Sequence, residues 1–273
     1  LGWAETRDLS QHGVWDLKGI TVSAGADLYI RCGGSGSPTL VLLHGLGANG
    51  EVWNRMLPIV RKRWHGTWIV PDLRGHGRSS HRAPYGYGAY ASDVASLLPQ
   101  DEEVIVIGHS MGGVVALALA TGWYGVKVQR VAAFGVKIRW TAEEEDRLRQ
   151  LARAPVRWFN TQAEAIDRYL KISGLIGLVD TAGVEATSGV VEVDGRFKLA
   201  SDPAINAAIG PKVADFAAAA RVPLRLAAGS NDPIVSAADM MPLDASPTIF
   251  VGAGHNAHVE KPEEVWDFAL RGT

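Results

Sequence analysis

The sharpest chemical feature of this sequence is Gly108-His109-Ser110-Met111-Gly112, a G-x-S-x-G run. It falls between the apolar stretch Glu103–Ile107, read as a strand, and a second from Met111 to about Thr121, read as a helix. Glycine at both ends permits a sharp strand-to-helix turn that lifts the Ser110 hydroxyl above a sheet. The N-terminus of the helix then points to where negative charge would develop. An alcohol needs a base to be nucleophilic at neutral pH. Of eight histidines, His255 ends Val251-Gly-Ala-Gly-His255, on a turn directly after the last apolar run, Thr248–Val251. His258 is its competitor, while His109 is expected to point away from the serine beside it. The third group must hold the imidazole tautomer. Asp232 follows Leu224–Ala228 just past a strand end and precedes Pro233. The earlier strand offers no acid, since Phe134–Trp140 contains no carboxylate, and Asp215, Asp239 and Asp244 sit away from strand ends. Two backbone donors would complete the chemistry, Met111 N–H and Leu46 N–H within His44-Gly-Leu-Gly47.

The elements that must position these groups are readable as short apolar runs alternating with helix-like stretches, the pattern of a parallel sheet covered by helices. Thr39–Leu43, Thr67–Val70, Glu103–Ile107, Gln129–Phe134, Leu224–Ala228 and Thr248–Val251 are expected strands, with helices from about Glu51 to Lys62 and Met111 to Thr121. Ile20–Val22 and Leu28–Cys32 are expected to form an antiparallel edge turned at Ala24-Gly25-Ala26. The fold class is α/β. Between Arg139 and Asp215 the alternation lapses. Two capping boxes, Thr141-x-x-Glu144 and Thr161-x-x-Glu164, start helices there, and Asp194-Gly195 marks a hairpin between Val190–Val193 and Phe197–Leu199. The expected organisation is a core of residues 1–138 and 216–273 with a mainly helical cap, 139–215.

Composition limits the partners. The chain has 273 residues, 47% of them hydrophobic, so a sizeable core can form. Lys and Arg total 27 against 29 Asp and Glu, which gives no electrostatic footprint for nucleic acid. A lone Cys32 cannot form an internal disulfide, and no Cys/His spacing suits zinc; no metal or cofactor is expected. The longest apolar run, Val114–Ala120, is far below the about 20 residues that span a bilayer. Leu1–Asp16 is polar, unlike a secretory segment, so a cytoplasmic location is expected.

Together, Leu43-His-Gly-Leu-Gly47, Asp72-Leu-Arg-Gly-His-Gly-Arg-Ser79, Gly108-His-Ser-Met-Gly-Gly113, Gly229-Ser-Asn-Asp232 and Gly252-Ala-Gly-His255 resemble the motif set of the α/β-hydrolase superfamily. Val259-Glu-Lys-Pro-Glu-Glu264 resembles the start of its last helix. The resemblance implies a Ser110–Asp232–His255 triad with Leu46 and Met111 as oxyanion donors, and a small-molecule substrate cleaved through an acyl-enzyme. Ser110 disfavours the members with an aspartate nucleophile. His109, where carbon–carbon hydrolases often carry Asn, tilts towards carboxylic ester hydrolases; lactone, amide and carbon–carbon cleavage remain alternatives. The family reading makes Asp72 and Arg74 braces of the loop beneath the site. Trp53, Trp140 and Tyr85 are pocket candidates, as are Tyr87 and Trp158; aromatic anchoring of the cap is the other reading. A rival from another class is a nicotinamide-dependent oxidoreductase, because Gly45-x-Gly47-x-x-Gly50 follows a strand and Asp72 ends the next. That reading leaves Ser110, Asp232 and His255 unexplained. A ligand receptor built on a hydrolase scaffold is the second rival.

Overall fold

The computed structural model describes residues 17–22, 26–207 and 210–271. Its strands are β1 (Leu17–Val22), β2 (Asp27–Gly33), β3 (Thr39–Leu43), β4 (Trp68–Pro71), β5 (Glu103–His109), β6 (Lys127–Phe134), β7 (Val190–Val193), β8 (Arg196–Leu199), β9 (Leu224–Gly229) and β10 (Thr248–Phe250). Eight of them form one sheet in the order β1-β2-β4-β3-β5-β6-β9-β10. The β1–β2 and β2–β4 pairs are antiparallel; the rest are parallel. The expected antiparallel edge is therefore present, although Ala24 and Gly25 of its turn lie outside the described residues, as does Leu1–Asp16.

Parallel strands covered on both faces must be apolar on both, and β3 is buried at every position. Because side chains alternate across a strand, Val41, Leu43, Val104 and Val106 join one core layer, and Leu40, Leu42, Ile105 and Ile107 the other. The helices are α1 (Leu57–Arg63), α2 (Tyr87–Ser96), α3 (Met111–Ala120), α4 (Ala142–Ala152), α5 (Gln162–Ser173), α6 (Val184–Thr187), α7 (Val213–Ala219), α8 (Ala237–Met240), α9 (Ala257–Glu260) and α10 (Pro262–Leu270). Helix α3 is buried at all ten residues, consistent with a composition that is apolar all round. The helix expected over Glu51–Lys62 is divided: a 3-10 turn at Gly50–Trp53, then α1, which restarts where Pro58 occupies its first turn. Helix α2 carries Tyr87, Tyr90, Ala91 and Val94 buried at helical spacing, a signal that Gly86 and Gly88 obscure in the sequence.

Between the sheet strands β6 and β9, both capping boxes form as expected. The β7–β8 hairpin turns through Asp194 (φ 50°) and Gly195 (φ 73°), the double positive φ of a primed turn. It stays apart from the large sheet. Ile172 of α5 lies over Gly47, and Asn256 Nδ2 donates to Ser173 O and Gly174 O, each at 3.0 Å, so this segment rests on the loops beyond β3 and β10. Helix α7 runs across position 215 and packs on α3 with Val213 and Phe216 buried. Among the described residues no helix is long and apolar enough to cross a membrane.

Candidate active site

Ser110 follows β5 and precedes α3 at φ 50°, ψ −116°, a left-handed conformation that costs energy for a residue with a side chain. The crossing is close. A Cβ at Gly108 would lie 2.4 Å from Gly112 O, and one at Gly112 would lie 2.3 Å from Leu43 O. Both positions therefore need glycine. Strand register brings Leu43 opposite Gly108 and Phe134 opposite His109, which places the loops after β3, β5 and β6 at one edge. Ser110 N–H donates to Phe134 O at 2.9 Å, fixing the turn. Neither Leu46 N–H nor Met111 N–H donates to another group among the described residues. Ser110 opens on a cleft of about 70 Å³ lined by Leu46, Met111, Tyr87, Lys137 and Trp140.

Past the ends of β9 and β10, His255 Nδ1 lies 2.8 Å from Asp232 Oδ2. The Asp232 side chain is fully buried, and its Oδ1 accepts Ile234 N–H at 2.8 Å and Val235 N–H at 3.3 Å. A carboxylate so held keeps its direction, and it assigns the His255 proton to Nδ1, leaving Nε2 as the free acceptor. The loop carrying His255 is tied down by Gly254 N–H to Glu260 and by Asn231 N–H to Ala253 O. Gly135, at φ 64° directly after β6, leaves room for the ring: a Cβ there would lie 3.0 Å from His255 Cε1. No hydrogen bond joins Ser110 Oγ to His255 among the described residues. Such contacts commonly tighten only when substrate binds.

His109 points away from the cleft. It is buried, stacked on Phe134 at 5.2 Å, and its Nε2 lies 2.9 Å from the His255 carbonyl oxygen. Burial, and then the nearby His258 and His255, hold its pKa well below the ordinary value. His258 is fully buried between Trp53 and His109, 4.6 Å from each ring, with no hydrogen-bond partner for either nitrogen among the described residues. Burial first, then His255 and His44, lower its pKa to about 3. It is a neutral core residue, not a partner of Asp232. His44 Nε2 accepts Leu73 N–H at 2.9 Å, which anchors the start of the Leu46 loop to the segment after β4.

Asp72 braces that loop from below: Oδ1 accepts Gly50 N–H at 2.7 Å and Oδ2 accepts Arg78 N–H at 2.9 Å. A carboxylate engaged in this way is not presented to a ribose, contrary to what the dinucleotide reading needs. Arg74 forms a buried two-pronged ion pair with Asp93 of α2. Among the aromatic candidates, Trp140 and Tyr87 line the Ser110 cleft. Trp53 is fully buried against Phe134 and His258, because its ring fills the core beneath the turn. Tyr85 is turned to Asp202, donating its hydroxyl at 2.6 Å. Trp158 packs under Arg196, 4.7 Å from ring to cation, on the β7–β8 hairpin. Sequence reasoning does not single out Gly135 or Asp93. A glycine directly after an apolar strand was the available signal for the first. For Asp93, helical spacing places it on the face of Tyr90 and Val94, where an acid needs a cation.

The α/β hydrolase family profile matches residues 40–268. Over 231 residues the chain is 31% identical to the magnesium-chelatase 30 kDa subunit of Rhodobacter capsulatus, covering 76% of this chain and 75% of that protein. Shorter matches reach lipase LipV of Mycobacterium tuberculosis (39% over 103 residues, 34% of this chain and 36% of the lipase). The chain spans 26% of the length of an uncharacterised protein from the same organism, at 43% identity over 93 residues. In three dimensions it superposes on a thioesterase domain from the curacin biosynthetic pathway with a TM-score of 0.75 at 20% identity, covering 92% of this chain and 97% of that one. Motifs, sheet order and profile agree: the chain belongs to the α/β hydrolase family.

Proposed function

We propose that the chain hydrolyses a carboxylic ester of a small molecule through a Ser110 acyl-enzyme, with residues 139–215 acting as a cap. The observation that carries this reading is the 2.8 Å His255–Asp232 contact at the sheet edge from which the left-handed Ser110 projects. His255 Nε2 takes the Ser110 proton as Oγ attacks the ester carbonyl, a transfer that needs about 2.6–3.2 Å between the two atoms. The tetrahedral oxyanion accepts from Leu46 and Met111 N–H, donors of a kind worth about 3–4 kcal/mol each. Collapse expels the alkoxide, which takes the proton from Nε2. Water then gives its proton to Nε2 and attacks the acyl-enzyme, and the second collapse returns Ser110 and frees the acid. Asp232 keeps the ring in one tautomer and balances its transient positive charge.

The test is turnover of p-nitrophenyl butyrate. Wild type is expected to turn over many times, with Ser110→Ala and His255→Ala each losing at least about 10³-fold; near-normal turnover in either variant refutes the assignment. The long match to a subunit named for magnesium chelatase supports a second reading, a hydrolase scaffold serving as an accessory protein. In that case wild type would show no ester turnover.

A further inference from the structure

We propose that the substrate's acyl chain runs from Ser110 into a second, larger hollow, and that this subsite selects a chain of medium length ending in a carboxylate. The proposal rests on the ester-hydrolase reading for which end of the substrate reacts, and on the hollow alone for the far end.

A hollow of about 200 Å³ lies between the Leu46–Gly47 turn, α5, the segment after α4 and residues 199–206. Leu46, Ile205 and Asn206 line both this hollow and the Ser110 cleft, so the two share a wall. Much of its lining is apolar: Leu46, Ile172, Leu199, Ile205, Val156 and Phe159. Those side chains match methylene groups.

Two cations interrupt that lining. Arg157 and Arg168 both line the hollow. Arg157 is held over the Phe159 ring, 5.0 Å from its centroid, and Phe159 is itself fixed by two backbone hydrogen bonds to Phe197 of 2.8 and 3.0 Å. Arg168 stands one helical turn before Ile172 on α5. Neither guanidinium pairs with a carboxylate among the described residues. Asp202 is the one acid among the lining residues, and its oxygens are engaged, Oδ1 by Ala204 N–H at 2.9 Å and Oδ2 by the Tyr85 hydroxyl at 2.6 Å. A largely apolar hollow that shares a wall with the Ser110 cleft and carries two guanidiniums without a carboxylate partner suits a chain with a terminal carboxylate, which an arginine fork receives through two parallel hydrogen bonds. A neutral fatty tail of the same length would gain no such hydrogen bonds.

The experiment compares kcat/KM for mono-p-nitrophenyl suberate and p-nitrophenyl octanoate, which have equal carbon counts and differ in the terminal carboxylate. Wild type is expected to favour the suberate by about 10- to 100-fold, the range of a charge-assisted hydrogen bond. The ratio should fall at least 10-fold in Arg168→Gln and partly recover in Arg168→Lys. A wild-type ratio near one, or a ratio unchanged by Arg168→Gln and Arg157→Gln, overturns the proposal while leaving the esterase reading intact. Turnover of p-nitrophenyl butyrate with neither eight-carbon ester cleaved also overturns the proposal; if none of the three esters is cleaved, the esterase reading fails and the subsite is read by calorimetric binding. Suberate is then expected to bind at least 10-fold tighter than octanoate and to lose that advantage in Arg168→Gln; equal or absent binding overturns the subsite.

Discussion

Replacing Gly135 by alanine tests the site through a residue that touches no substrate. Gly135 sits at φ 64°, where a side chain costs about 1–2 kcal/mol. The new Cβ would lie 3.0 Å from His255 Cε1, 3.2 Å from His255 Nδ1 and 3.3 Å from His109 Cδ2. His109 is packed on Phe134 and cannot retreat far, so the His255 ring is the part that moves. Restoring ordinary contact requires a shift of about half an ångström to one ångström, and displacements of that order cost up to about 10²-fold in rate. We expect Gly135→Ala to fold, to melt about 2–8 °C below wild type, and to lose about 10- to 100-fold in kcat/KM for p-nitrophenyl butyrate. Near-ultraviolet circular dichroism and a melting curve separate loss of the fold from loss of the alignment. A folded Gly135→Ala protein with activity within twofold of wild type would refute the claim that His255 acts from its position beside Gly135.

Three further outcomes are expected. Asp93→Ala strands the buried Arg74 charge and should destabilise the protein by about 3–5 kcal/mol in urea unfolding; a loss under 1 kcal/mol would show that the pair contributes little. His76 and His258 are each held to about 3 by burial, with neighbouring histidines adding to the effect, whereas unfolded histidine protonates near 6.5. The unfolded chain therefore binds more protons below pH 6.5, so stability is full above that value and falls as pH drops towards 3, by up to about 1.4 kcal/mol per pH unit for each ring. His258→Phe should flatten this acid limb, and an unchanged slope between pH 6.5 and 4.5 would contradict the assignment. Ile205→Trp, in the wall that the two hollows share, should obstruct a chain reaching from one to the other and cut the octanoate-to-acetate ratio of kcat/KM at least 10-fold; an unchanged ratio would mean that the acyl chain does not take that route.

How much of this was legible in the sequence follows from where each signal resides. Chemistry carried by contiguous residues was readable: the Ser110 turn, both capping boxes and the Asp194-Gly195 hairpin each depend on spacings of a few residues. Strands were readable because parallel strands buried on both faces leave unbroken apolar runs, as in Thr39–Leu43. Their order in the sheet was not, since β3 between β4 and β5 is decided by packing over the whole chain. Side-chain partners distant in sequence were also hidden. Nothing local to Arg74 announces Asp93, and nothing in Phe134-Gly135-Val136 announces that a histidine 120 positions later fills the space above it. The indole of Trp53 looks the same in sequence whether it lines a pocket or, as here, fills the core beside His258. The hollow beside Ile205 is assembled from four separate segments and has no sequence pattern of its own.

The central claim is that Ser110 is an activated nucleophile, and covalent labelling addresses it directly. A fluorophosphonate probe reacts with an activated serine and leaves ordinary hydroxyls unmodified. After incubation with the intact protein, peptide mass spectrometry is expected to find one phosphonate adduct, on the peptide carrying Gly108-His109-Ser110-Met111-Gly112, with labelling abolished in Ser110→Ala and strongly slowed in His255→Ala. An unlabelled Ser110 in folded wild-type protein, or a rate indifferent to His255, would contradict the account.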